Sequence, residues 1–418
     1  MVTRDQKKRY FKLEYRYKKL RKSSNKKMAR YRMFGIASGA ILGIGIAISG
    51  FPFDGNGTFD FGRYLILVYG ALLLAILFNI PHILIHEAGH LVFGLMTGYE
   101  FLSFRVLKTI IYKKNGRLHK TKHSVKGTAG QCLMRPPRKQ EDGSFPFVLY
   151  NLGGGIANLA ASLVLILPMA VTNNSVIRIV CLAFALMGVL VAVTNLIPIS
   201  MVIQNDGMNV KSMLQDESLQ EAFYLQLQFN AQMSDGKKLT EYPPDAFKLP
   251  AVADETNTLA VYLSLCAYIR QLARQEYELA EQSLQTMEEH LPEYLPAVLN
   301  ALQAERLFFL VLHKAPPEEI AALYKHIRLL FITAKTDIGI QRIRYVYETF
   351  LSEEKKMDIM TLIMKREPKK WVECDKEKLY QEFLKVAGNY PVQGLAAAYV
   401  DIVEDIRKAE QSDEEESV

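Results

Sequence analysis

Residues 82–95, "HILIHEAGHLVFGL", set imidazoles and a carboxylate inside a run that is otherwise almost wholly apolar. A long apolar run has few choices of fold, because in hydrocarbon every backbone polar group must be satisfied within the segment. About 20 such residues form one membrane-crossing helix. Ionisable side chains inside such a helix are costly to bury and mark functional sites by default. His86-Glu87-Ala88-Gly89-His90 is therefore the feature around which the rest of the chain is read.

The 418 residues divide sharply into an apolar first half and a charged second half that reads as soluble. Four spans are expected, at 34–52, 64–98, 146–171 and 176–199, within a membrane domain covering 34–210. The second is long for one crossing and carries Pro81, which is expected to kink it. Residues 1–33 are strongly basic and too long for a signal-peptide n-region, so the first apolar run reads as a retained span. Beside a span, such a segment is more simply a cytoplasmic flank than a nucleic-acid contact. The loop 53–62 and the connection "TNNS" at 172–175 have no Lys or Arg, whereas the loop 99–144 has eleven. With both termini cytoplasmic, every basic segment falls inside and every uncharged one outside. The His-Glu pair then lies roughly 15 Å from the cytoplasmic end of its helix. Cys132, Cys181, Cys266 and Cys374 are scattered without C-x-x-C spacing, and imply neither a disulfide framework nor a thiolate zinc site.

H-E-x-x-H on a helix projects two imidazoles, His86 and His90, from one face toward a single zinc ion. Glu87 is then placed to act as the general base toward water. The alternative is that both histidines hydrogen-bond to neighbouring helices. His82 extends the series, but its Cα lies roughly 12 Å from that of His90 on an ideal helix, so a hydrogen bond to another helix is expected of it instead. A third ligand must come from elsewhere, and the extended form of the motif fails because Phe93 and Met96 stand where glycine and histidine belong. The best candidate is "TNLIPISMVIQNDGMNV", where Asn195 and Pro198 break the fourth span and Asp206-Gly207 follows. The competing reading of Asn-Asp-Gly is a turn without a ligand role.

In these elements the chain resembles the site-2 protease family of intramembrane zinc metalloproteases. The resemblance rests on His86, Glu87 and His90, on Asn195, Pro198, Asp206 and Gly207, and on a G-x-x-N element, Gly155 and Asn158, in "NLGGGIANLAAS". It covers about residues 60–210. It implies that Asp206 completes the metal site, that Asn158 and Asn195 lie near the active site or substrate, and that a membrane-associated sheet forms between the second and third spans. "EFLSFRVLKTIIY" and "GTAGQCLM" are rich in β-formers, as such a sheet requires. The eleven residues from Asn195 to Asp206 exceed the commonest form of the motif, and "TNNS" leaves no room for a PDZ-like insertion.

From 211 to 410 the apolar periodicity is helical, with Pro292, Pro316, Pro317, Pro368, Gly388 and Pro391 at expected boundaries. The reading is a cytosolic α-helical domain whose helix pairs resemble a tetratricopeptide-like stack although no clean repeat is present, followed by an acidic, disordered tail at 411–418. The expected fold class is thus an all-α polytopic membrane protein with a small β element and a soluble helical domain. The expected function is zinc endopeptidase action in or beside a transmembrane segment of a protein or peptide substrate. The helical domain would be a surface for a protein partner. The rival is a catalytically silent, zinc-containing scaffold that recruits clients; a small-molecule transporter is disfavoured by the lack of an internal repeat.

Overall fold

The computed structural model describes residues 2–24, 57–125, 128–200, 203–248, 255–366 and 375–416. The expected first span, 34–52, lies outside the described residues. Among the described residues, three helices are long and apolar enough to cross a membrane: α2 (Phe61–Met96) over Ile76–Met96, α3 (Phe147–Val171) over Phe147–Pro168 and α4 (Ser175–Leu196) over Val176–Leu196. Pro81 lies inside α2. Asn174 caps α4 by accepting from the N–H groups of Val176 and Ile177. Pro198 ends that helix earlier than expected: Ile197 is extended (ψ 127°), as the ring of a following proline dictates. The outward faces are apolar, with Ile66, Leu73, Leu163, Leu167 and Val176 all exposed. Apolar faces of that extent suit a lipid environment.

The chain divides into two compact units. The unit that holds the long apolar helices spans 26–106 and 129–215. It contains α2, α3, α4, strands β1 (Glu100–Val106) and β4 (Gly130–Arg135), and α5 (Asp206–Gln215). β1 and β4 pair antiparallel with Arg105 opposite Gln131 and an irregularity between Phe101 and Ser103.

The second unit joins 1–25, 107–128 and 216–418. Two pieces that chain order would place elsewhere therefore belong with the helical domain. The first is a helix at residues 4–24, here α1. It is more than a basic flank, because Tyr10, Glu14, Tyr17, Arg21 and Ser24 recur at helical spacing along one side. On that side Glu14 pairs with Lys325 at 2.9 Å, the Tyr17 ring lies 6.0 Å from that of His326, and Ser24 donates to the Tyr294 carbonyl. The second piece is the antiparallel hairpin of β2 (Thr109–Lys114) and β3 (Arg117–Lys122). Its turn is Asn115-Gly116 with φ of 50° and 75°, the double positive φ of a type I′ turn. The hairpin is anchored by Lys114 Nζ on Gln393 (2.7 Å) and by the Ser124 N–H on Thr336 (3.0 Å).

The rest of this unit is helical: α6 (Glu217–Ser234), α7 (Thr258–Ala273), α8 (Tyr277–Glu288), α9 (Pro296–Leu312), α10 (Pro317–Thr333), α11 (Ile338–Phe350), α12 (Glu353–Met364), α13 (Lys376–Gly388) and α14 (Gln393–Glu416). Pro296 and Pro317 each begin a helix, where a missing N–H costs nothing. In a one-dimensional repeat stack each unit touches only its neighbours; here α14 packs back on α6 and α7. The acidic tail expected to be disordered instead continues α14 to Glu416. Gln and Glu are good helix formers, and extending a formed helix needs no new nucleus. At the core, fully buried Arg342 pairs with Glu305, which also accepts from the Tyr268 hydroxyl at 2.8 Å.

Candidate metal centre

His86 and His90 project from one face of α2, and both are buried. Their Nε2 atoms lie 3.1 Å apart. Asp206 Oδ2, at the first residue of α5, lies 3.1 Å from His86 Nε2 and 3.4 Å from His90 Nε2. Ligand bonds of about 2.0–2.1 Å at tetrahedral angles place donor atoms about 3.3 Å apart. The three separations match those edges, so these residues could hold a metal ion and leave one position open. Asp206 Oδ2 is buried yet has no hydrogen-bond partner of acceptable geometry. Three converging lone-pair atoms repel one another unless a cation, a proton or a metal, lies among them. The donor set therefore fits a metal.

Several local features make this convergence possible. A Cβ at residue 154 would lie 2.5–2.7 Å from the His86 ring, and one at residue 89 would lie 2.3 Å from the Gly153 carbonyl. The glycines of "NLGGGIAN" thus let α3 approach α2 at the motif itself. His90 Nδ1 donates to the Tyr150 carbonyl at 2.7 Å, leaving Nε2 as the lone-pair nitrogen. The Tyr150 hydroxyl donates to Cys132 of β4 (2.8 Å), so α3 orients a ligand and the strand together. Asp206 is placed by its neighbour. Asn205 accepts from the N–H groups of Ile199 and Met208 (3.0 and 2.9 Å) and donates to the carbonyls of Thr194 and Ile197 (both 2.7 Å). It caps α5 and ties it to the end of α4.

Glu87 is buried against the start of β4; a Cβ at residue 130 would come within 2.1 Å of its Oε1. Around it stand the His86 and His90 imidazoles, the Asp206 carboxylate and the Arg105 guanidinium. Arg105, almost wholly buried on β1, donates to the Gly130 carbonyl at 2.8 Å. Sequence reasoning missed Arg105, which it counted only among the loop's positive charges, and it missed the cap formed by Asn205. The Asn-Asp-Gly triplet carried the signal for the second.

Of the expected site residues, His86, Glu87, His90 and Asp206 come together. Asn158 joins them, its amide 3.3 Å from His86 Nδ1. Asn195 makes its described hydrogen bond within its own helix, to the Val191 carbonyl (2.8 Å). His82 stands outside the candidate ligand group and bonds to α3 and α4. No family model, curated protein or solved structure matches the chain.

Proposed function

We propose that the protein is a zinc-dependent intramembrane endopeptidase that hydrolyses a peptide bond within or next to a transmembrane segment of a protein or peptide substrate. The observation that carries this reading is the position of Glu87, buried between the His86–His90–Asp206 group and the first residue of β4. His86, His90 and Asp206 would hold the zinc. When bound, zinc supplies Lewis acidity that activates water near neutral pH and polarises a carbonyl.

The chain's own residues supply the rest. Glu87 takes a proton from the attacking water and delivers it to the leaving amine. β4 pairs with β1 on one side, and nothing pairs with its other side among the described residues. An extended substrate segment added to that edge would run past Glu87, with its peptide bonds freed from helical hydrogen bonding. Arg105, by holding the Gly130 carbonyl, fixes where that edge begins. The exposed apolar faces of α2, α3 and α4 support a site inside the membrane. The basic loop 99–144 supports a cytoplasmic approach to it. The helical unit is the surface for a regulatory or substrate protein.

The test is single-turnover cleavage of a transmembrane substrate by the purified full-length wild type and Glu87→Gln at matched zinc occupancy. Glu87→Gln keeps its shape but cannot accept the proton, and cleavage should fall by about 10²–10⁴-fold. Equal rates would remove the protease reading and leave a metal-containing scaffold as the better account.

A further inference from the structure

A continuous polar chain crosses the three apolar helices beside the metal centre. His82 and Asn158 are both fully buried. His82 Nε2 lies 2.9 Å from the Phe184 carbonyl oxygen of α4. Its Nδ1 lies 2.9 Å from Asn158 Oδ1 of α3, and Asn158 Nδ2 lies 3.3 Å from His86 Nδ1 back on α2. The arrangement is built into the packing. The His82 ring sits 4.2 Å from that of Phe184, and Ser162 donates to the Asn158 carbonyl at 2.8 Å. A Cβ at residue 188 would come within 2.5 Å of the His82 ring, so only glycine admits His82 there.

We infer that this chain sets the tautomer of His86, with His82 as a positioning residue that acts through Asn158. A carbonyl oxygen only accepts, so His82 must present N–H at Nε2 to Phe184. A neutral imidazole has one donor and one acceptor, which leaves His82 Nδ1 as the acceptor. The Asn158 amide must then be turned end for end from its placed orientation, so that its NH₂ faces His82 and its oxygen faces His86. An amide's two ends exchange by a half-turn of the side chain, and the hydrogen-bond network decides between them. With the oxygen at His86 Nδ1, that nitrogen is the donor, and His86 Nε2 is left with a bare lone pair directed at Asp206 and His90. That tautomer is the one a metal requires. His90 reaches the same state directly from the Tyr150 carbonyl, so both imidazoles are set by a backbone carbonyl, one at first hand and one through a three-helix relay. The inference rests on the metal reading of the site, but its logic starts from Phe184 and uses no metal.

The test measures affinity of the purified full-length protein for zinc by competition with a chelator, and the visible spectrum of its cobalt form. Loss of a group that orients a ligand typically weakens metal binding by about 10–100-fold. His82→Leu is expected to fall in that range, whereas His82→Gln, which can still accept from Asn158 and donate to Phe184, restores most of the affinity. Asn158→Leu should match His82→Leu, and adding His82→Leu to it should cost nothing more, because the two act in series. Asn158→Asp keeps an acceptor at His86 and should hold zinc at least as well as the wild type. Thermal unfolding of each variant separates misfolding from the specific effect, and the Gln and Asp variants carry the test if the Leu variants fail to fold. Wild-type affinity in His82→Leu, additive losses in the double variant, or an Asn158→Asp as weak as Asn158→Leu would each overturn the relay. A wild type that takes up no zinc would overturn the metal reading itself, and the relay with it.

Discussion

Each unit buries charged or polar groups at its centre, and the two clusters differ in whether they are complete in charge, one holding both signs and the other converging acceptors alone. In the helical unit the Arg342 guanidinium meets the Glu305 carboxylate and lies 4.4 Å from the Phe308 ring centroid, while Glu305 also takes the Tyr268 hydroxyl. Cation, anion and donor are all supplied by the chain. In the unit of long apolar helices, His86, His90 and Asp206 bring three acceptors together and supply no cation of their own. Burial of polar groups is common to both. Unpaired atoms are also common to both, since Arg342 Nε and Nη1 lack acceptors, so the missing counter-charge is what marks the second as a candidate binding site.

The largest expected effect breaks the incomplete cluster. Asp206→Ala or His90→Ala should reduce bound metal from one per chain toward zero by elemental analysis, and thermal unfolding of the helical unit should be unaffected. Retained stoichiometry would show that the trio is a hydrogen-bonded cluster like its counterpart. Next comes the complete cluster. Arg342→Met leaves Glu305 buried without its partner and should destabilise the helical unit by about 3–5 kcal/mol, with metal content unchanged. Adding Glu305→Leu should recover most of the loss; if it does not, packing rather than pairing holds that core. A subtler change tests how closely α3 must approach the site. Gly154→Ala places a methyl within 2.5–2.7 Å of the His86 ring, so about 1–3 kcal/mol of strain is expected there, read as weakened zinc binding.

The smallest effect concerns α1. Glu14→Gln, tested by chemical denaturation, should cost less than about 1 kcal/mol, as partly exposed pairs do. The hydrogen bond from Lys325 holds the Glu14 carboxyl below its ordinary range despite burial. Its folded pKa is thus lowered, so its contribution is present above the ordinary glutamate pKa of about 4.3 and is lost as pH falls below it. A wild-type-minus-variant difference that grew on acidification would contradict the assignment.

Local patterns were legible in the sequence. His86, Glu87 and His90 share a helix, and "NLGGGIAN" announces a close approach of helices. What could not be read depends on contacts distant in the chain. Arg105 looks like one of eleven loop charges until β1 pairs with β4 and brings Gly130 beside it. Residues 4–24 look uniformly basic because the Tyr10–Glu14–Tyr17 stripe gains meaning only against Lys325 and His326. The hairpin turn was available locally, since Asn115-Gly116 is a strong signal on its own. The helical tail was misjudged by composition, which reports charge but not continuity with α14.

The order in which the donors occur along the chain has a consequence for biogenesis. His86 and His90 are made early, and Asp206 follows more than a hundred residues later. At about 5–20 residues per second, the nascent α2 waits on the order of ten seconds for its carboxylate. Until then the pair of imidazoles can offer a metal only two protein donors, so tight capture becomes possible only after the last apolar helix has been synthesised. Closing so long a loop costs conformational entropy, and a bound ion would offset that cost by stapling α5 to α2. Metal loading would then double as a checkpoint on folding, with chains that fail to bring α4 and α5 into register left unmetallated.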